Sequence, residues 1–439
     1  MSPHLTVQLR RLKEAGWVLA GQILAFLGGV VGIKLLTNLM PPEGYGELAL
    51  GITIAGIVNM FLFGPLAQVV VRYYSICREQ GTLDAYSRIL TGLHRKAIYL
   101  LIGVSVPVIV LVGIAFGISW AVLVAVALIF SIPSGLQGSI QSLLGALRDR
   151  RAAAMTQGAD SWLRLGLGAM FVALVAPNGF WALIGYIFGS LIVLLIQFKV
   201  IRRHNFGTSA RTTPVELDAM RRAEMLGYAL PFVAFATMSS IGQYADRWLL
   251  LGSGGANDVG IYAALYQIAS APVVFLMSVA MQLVIPVVFG RVGDLSSQLR
   301  LQGGRGLLSR TLLMIGFVYL ALTLITYFWA EQLVTLLTNS EYARQANVLW
   351  LLVLALSLYN LTQYMTVLGF SMNRPKAYFW PKLGHAITLL VTGMLLVRVY
   401  GIAGMVYALV ISAIVHIVWV ALVNSKMWLE QVPKETVAK

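Results

Sequence analysis

The chain has 439 residues, 59% of them hydrophobic and 11% charged, and its mean hydropathy is +0.81. A soluble domain carries about 25% charged residues, so this composition excludes an ordinary soluble enzyme, and the single cysteine, Cys77, excludes an internal disulfide or a cysteine-rich metal site. The net charge of +15 lies in polar connections on one side of the apolar runs, which is an orientation signal for a membrane protein and not a nucleic-acid footprint.

Apolar runs of roughly 20 residues recur along the chain, each long enough to cross about 30 Å of hydrocarbon. Residues 4–14 set Leu5, Val7 and Leu12 among Gln8, Arg10, Arg11 and Lys13, which reads as a basic flank or an interfacial helix. No cleavable signal precedes the first span. Span 1 is expected at 16–39, where Gly21, Gly28 and Gly32 recur at intervals of seven and four and form a small-residue packing face. Pro41 and Pro42 end it. Span 2 follows at 45–70, then a polar connection with Arg72, Arg78, Arg88, Arg95 and Lys96, and span 3 at 97–117. Span 4 (120–145) holds Pro133 and Gly135, a predicted kink. Spans 5 and 6 are expected at 156–176 and 180–201.

The longest polar stretch, 204–224, reads as a linker between an N-terminal lobe at 1–203 and a C-terminal lobe at 225–439. Within it Thr213-Pro214-Val215-Glu216 resembles a helix start. Spans 7 to 12 are expected at 225–250, 258–288, 309–330, 346–369, 382–398 and 402–424. With this division, 27 Lys and Arg residues lie in connections on the side of the termini and only Arg344 and Arg398 on the other; Lys34, Arg164 and Arg247 fall inside spans. The bias puts both termini in the cytoplasm and supports an even number of spans. The predicted fold is therefore all-α and polytopic, with 12 transmembrane helices in two six-helix lobes. Residues 33–55 and 241–270 echo one another, Gly46 aligning with Gly260 and Lys34 with Arg247 to within about a residue. The lobes would then be repeats related by an axis along the membrane normal.

Charges inside spans are expensive and face protein or a wet cavity. Lys34 reads as snorkelling to the outer interface or as a cavity residue. Arg247 reads as an internal ion pair with Asp246, or as a gate or substrate contact. Asp160 and Arg164, four apart, share one helix face; either they snorkel, or Arg164 binds an anion and Asp160 tempers it. Arg72 is a basic flank or a cavity residue. Arg374, Lys376, Lys382 and His385 line the start of span 11, and His385, the deepest, is a packed residue or a proton carrier. Basic groups outnumber acidic ones in the spans, which favours anions, and Arg suits phosphate oxygens. Trp162, Tyr244, Trp248, Tyr262 and Tyr266 are candidates to stack on sugars, or belong to interfacial belts. No GxxxxGK[ST] loop, HExxH pair or Cys/His ligand set occurs, so no catalytic residue, ATPase site, metal or cofactor is expected. A membrane-embedded glycan-processing enzyme is a remote alternative; it would want an acidic cluster or a large outer loop.

Residues 35–51, LLTNLMPPEGYGELALG, and 244–269, YADRWLLLGSGGANDVGIYAALYQIA, resemble the openings of the two lobes of O-antigen-type polysaccharide-export flippases in the multidrug/oligosaccharidyl-lipid/polysaccharide exporter superfamily. With the basic N-terminus and the order of spans, the resemblance covers nearly the whole chain. It implies a V-shaped, MATE-like fold in the bacterial inner membrane. It also implies alternating-access translocation of an undecaprenyl-pyrophosphate-linked oligosaccharide for O-antigen, capsule or exopolysaccharide synthesis, with coupling to a proton or sodium gradient in some members. The implied partners are the lipid-linked oligosaccharide, membrane lipids, a polysaccharide polymerase and a chain-length regulator, around a monomer that binds no nucleic acid. The alternative is a cation-coupled multidrug or small-molecule exporter of the same fold.

Overall fold

Residues 3–204, 215–292, 298–372 and 374–429 are described in a computed structural model, and every regular element among them is helical. Helix α1 (Pro3–Leu39) gives way to α2 (Pro42–Val58), which starts on Pro42, a residue whose missing N–H is harmless in a first turn. One π-helical turn, Asn59–Phe63, joins α2 to α3 (Gly64–Glu79). A short turn leads to α4 (Leu83–Phe116), and Gly117, at a φ of 91°, reverses the chain into α5 (Ile118–Ala146). Helices α6 (Arg150–Leu174) and α7 (Gly179–Arg202) are capped by Asp149 and Asn178, whose side chains accept the Ala152 and Trp181 N–H groups. Then come α8 (Val215–Val292), α9 (Gln298–Leu337), α10 (Leu349–Met365), α11 (Val367–Ser371) and α12 (Phe379–Leu429).

Two of these helices are antiparallel pairs. Gly255 breaks α8 at φ 74°, a conformation open to glycine and strained for other residues. The Tyr262 hydroxyl nevertheless bonds Asp246 at 2.6 Å, whereas sixteen residues of straight helix span about 24 Å, so the chain turns back at Gly255. This is the hairpin expected between spans 7 and 8. Gly401 (φ 54°) does the same in α12, bringing Gly404 against the Leu396 carbonyl. Among the described residues, nine helical stretches are long and apolar enough to cross a membrane. Helix α6, which carries Arg150, Arg151, Asp160 and Arg164, is not one of them.

The chain divides into two compact units, Met1–Ser240 and Ile241–Lys439. In the first, the glycine face of α1 finds α6: a Cβ at Gly21 would lie 2.9 Å from the Ala154 Cα, Gly28 faces Ser161, and Gly32 faces Leu165. Helices α6 and α7 approach still more closely, with Gly185 opposite the Gly168 backbone and Gly189 opposite that of Arg164. Gly135 of α5, expected at a kink, receives the Phe63 ring, and Ser134 beside it accepts the Asn59 amide at 2.8 Å.

Residues 72–96, expected as a polar connection, are helical except for a turn near 80–82. The segment is amphipathic: Tyr74, Cys77, Tyr86, Ile89 and Leu93 are buried together, while Arg72, Arg78, Arg88 and Arg95 face outward. Helix α8 is described from Val215; residues 205–214 of the linker, with Thr213 and Pro214 of the expected start signal, lie outside the described residues. Met225 and Ala229 complete the core around Cys77 and Tyr86. Arg221 donates to Thr82 Oγ1 and to Gln80 Oε1. The first compact unit extends to Ser240. The basic flank at 4–14 is helical from Pro3, and its side chains lie outside the description.

A Cβ at Gly185 would lie 2.5 Å from the Gly168 backbone, so Gly185→Leu forces α6 and α7 apart. It is expected to destabilise by about 2 kcal/mol or more, read as a lower melting temperature of purified protein in detergent. Gly103→Leu on α4, where a Cβ would meet no heavy atom within 4 Å, should leave that temperature unchanged.

Candidate functional site

In the first unit, α6 presents Asp160 and Arg164 on one face, as their spacing requires. Asp160 Oδ1 lies 2.8 Å from Arg164 Nε. The guanidinium also reaches two neighbouring helices: Nε donates to Ser190 Oγ of α7 at 2.9 Å, and Nη2 donates to Gln137 Oε1 of α5 at 2.6 Å. Gln137 in turn donates to the Ser190 carbonyl at 2.7 Å. The Phe130 ring lies under the guanidinium, 5.1 Å from its carbon, and Tyr186 packs edge-on to Phe130. Gly189 makes this possible, because a Cβ there would sit 2.8 Å from the Arg164 amide nitrogen. One arginine thus ties three helices, and its charge is balanced within the bundle.

The second unit holds a matching pair on α8. Asp246 is 4% exposed. It accepts the Tyr262 hydroxyl at 2.6 Å and the Arg247 N–H at 2.8 Å, and lies 3.8 Å from Arg247 Nη1. The Arg247 guanidinium sits over Tyr266 at 5.3 Å and Tyr244 at 5.9 Å, and donates to the Gln243 carbonyl. Stacking on ring faces keeps a cation tolerable where water is scarce. Tyr262 is fully buried, so it serves Asp246 and offers no face to a sugar. Trp162 donates to the Leu24 carbonyl at 3.2 Å, within the α1–α6 seam, and keeps a partly exposed ring, as does Trp248.

A second cluster in that unit forms at the two halves of α12. His385 and His416 are buried with ring centroids 4.9 Å apart. Tyr359 of α10 lies 5.2 Å from His385 and 5.9 Å from His416. Lys382, half-buried, precedes His385 by one turn.

The structure therefore pairs Asp160 with Arg164 and Asp246 with Arg247, and sets Lys382 one helical turn before His385. Lys34 is half-buried near the end of α1. Arg72 on α3 and Arg374, in the turn before α12, are exposed. The residues the sequence reading passed over are Gln137, Ser190 and Phe130 around Arg164, and Tyr359 and His416 around His385. Two of them carried a signal: a glutamine within span 4 and a histidine within span 12 are both polar interruptions of apolar sequence. Among the described residues, no group of three His, Cys, Asp or Glu side chains is placed to hold a metal ion.

Residues 11–290 match the family described as polysaccharide biosynthesis protein. No curated protein matches the chain in sequence. Solved structures share its fold. The lipid II flippase MurJ, in an inward closed conformation, superposes with a TM-score of 0.67 at 14% identity, over 94% of this chain and 87% of that one. A multidrug resistance MATE family transporter of the MOP superfamily, inward-facing, gives 0.60 at 14% identity over 94% and 96%. A MOP superfamily transporter from Pyrococcus furiosus, described as having a binding pocket of reverse polarity, gives 0.60 at 13% over 94% and 95%. At such identities the likeness is one of fold: an all-α, multi-pass membrane architecture of the MATE-like type. The solved structures that share this fold are transport proteins.

Tyr262→Phe removes the donor that holds Asp246 and is expected to cost about 2 kcal/mol, the usual range for a hydrogen bond to a charged group, measured as a lower melting temperature in detergent. Tyr244→Phe keeps the ring face that Arg247 uses and should cost less than half as much.

Proposed function

The chain belongs to the polysaccharide biosynthesis protein family, and on that premise we propose that it flips a lipid-linked oligosaccharide, a glycan on undecaprenyl pyrophosphate, from the cytoplasmic to the periplasmic leaflet of the bacterial inner membrane. The family match over residues 11–290 is the observation that carries this reading, and the shared fold with a lipid II flippase supports it.

Twelve crossings belong to the same proposal, and three observations support them. Nine stretches qualify by length and hydropathy. Two of them, Met220–Gln282 and Lys376–Trp428, contain the reversals at Gly255 and Gly401 and count twice. Helix α6, packed between α1 and α7, supplies the twelfth. Twelve crossings put both termini on the side that carries 27 of the Lys and Arg residues, the cytoplasm, and give two six-helix lobes.

Transport proceeds by alternating access, and the paired arginines assign the chemistry. Arg164 and Arg247 are each neutralised by an aspartate in this state, so neither attracts an anion as a bare charge. A pyrophosphate competes with the carboxylate for the guanidinium, whose planar fork fits phosphate oxygens as well as it fits carboxylate oxygens. Lys382, beside the second cluster, adds further basic charge. A second reading, a cation-coupled exporter, is favoured by the fold shared with MATE transporters and by the same two aspartates, which would bind a cation if their arginines moved away.

The two readings separate in proteoliposomes. A flippase moves a short-chain fluorescent lipid-linked oligosaccharide between leaflets and does not expel ethidium; the exporter does the reverse, and that result would overturn the assignment. Arg247→Gln is expected to slow flipping by about tenfold, an effect of about 1.4 kcal/mol, with the melting temperature checked in parallel. For topology, reporter fusions at residues 116 and 203 should show the first outside and the second in the cytoplasm.

A further inference from the structure

We propose that His385 and His416 form a one-proton site that couples transport by this chain to a proton gradient. This rests on the transporter reading above and adds to it the identity of the driving ion and the residues that hold it.

The chain has five histidines, and α12 folds two of them onto each other. His385 and His416 lie at almost equal distances either side of the Gly401 reversal, so the antiparallel halves set their rings side by side at 4.9 Å. His416 is 2% exposed, and its Nδ1 meets no hydrogen-bond partner. An orphaned ring nitrogen of that kind costs about 1–3 kcal/mol, whichever tautomer is present, and a leucine would pack there without it. His94 shows the contrast: it is also buried within a span, and both of its ring nitrogens are partnered, by the Leu90 carbonyl and Ser139 Oγ. The unpartnered nitrogen of His416 belongs to a buried titratable ring that packing alone does not explain.

The surroundings select the ion. The groups facing the pair are the Tyr359 ring from α10, the Lys382 ammonium from α12 itself, and Gly242 from α8, where a Cβ would lie 3.7 Å from His385 Nδ1. Beyond Tyr359 stands Tyr266, which carries Arg247 on its face. The nearby carboxylate, Asp246, is committed to Tyr262 and Arg247. Sodium wants several oxygen ligands at close range, and these groups are imidazoles, a phenol ring and an ammonium. Protons suit imidazole, the one ordinary side chain that changes charge between about pH 5 and 8. The balance is simple: a proton adds to the lone pair of one ring nitrogen, and the second ring shares it. Lys382 and that first charge together oppose a second proton, which fixes the stoichiometry at one. The proton leaves to water from the same nitrogen once the opposite side opens.

The test uses full-length protein with 15N-labelled histidine in lipid nanodiscs, the five rings assigned by single His→Gln variants. His385 and His416 are expected to titrate as a linked pair taking up one proton, and His385→Gln should move the His416 step by about one pH unit or more, the signature of interacting sites. Two rings that titrate independently, that stay in one protonation state from about pH 5 to about pH 9, or that bind zinc in place of the proton overturn the proposal. In proteoliposomes, an imposed pH gradient should accelerate wild-type transport of the lipid-linked oligosaccharide. His416→Gln should ignore the gradient, with His204→Gln, on an exposed helix end, responding as wild type. Equal gradient responses in wild type and His416→Gln also overturn it. If the wild type moves no oligosaccharide at all, the flippase reading fails, and the ring titration still decides the proton site.

Discussion

A guanidinium inside a bundle of apolar helices must be neutralised and hydrogen-bonded by the bundle itself, because little water reaches it. Both compact units are arranged around this constraint. In the first, Arg164 is satisfied only because α5, α6 and α7 come close enough for Gln137, Asp160 and Ser190 to reach it. That approach depends in turn on glycines at 168, 185 and 189. In the second, Arg247 is satisfied by Asp246 and by tyrosine faces, and the tyrosines arrive because Gly255 turns the chain back. Small residues and buried charge are therefore one design: the glycines close the helices, and the closed helices shelter the ion pairs.

That arrangement alters the electrostatic reading of the sequence. Counting charges in spans gives a basic excess, yet the two arginines lie against carboxylates and contribute little net field in this state. On the proposed function, selectivity for an anion would reside in exchange of a carboxylate for a phosphate on the same guanidinium. Long-range attraction falls to other basic groups, Lys382 among them.

How much of this was legible in the sequence follows from the range of each interaction. The α1 glycines at 21, 28 and 32 and the Asp160–Arg164 spacing were readable because helical periodicity is local. The Gly255 hairpin was readable from its glycines between apolar runs. The helicity of residues 72–96 was obscured, because their polarity mimics a loop, and the apolar stripe from Tyr74 to Leu93 is a subtler signal than the arginines beside it. The partners of Arg164 and His385 were not legible. Gln137 and Ser190 stand 27 and 26 residues from Arg164, and His416 meets His385 only after a full reversal, so no window along the chain contains both members. The packing of Met225 and Ala229 around Cys77 was hidden likewise, because in sequence they read as the start of a new span.

Helix α6 has a consequence for how the protein is made. With Asp160 and Arg164 near its middle and Arg150 and Arg151 at its start, it is a poor substrate for partitioning into lipid alone. Each such charge at mid-helix depth disfavours insertion by about 3 kcal/mol. The residues that relieve this penalty sit on α5, synthesised before it, and on α7, synthesised after it. As the twelfth crossing proposed above, α6 would have to be retained by the translocation machinery until α7 emerges or be handed directly to α1 and α5. Biogenesis of the N-terminal unit is cooperative at this helix, and a lesion at Gln137 or Ser190 would act first on the yield of inserted protein.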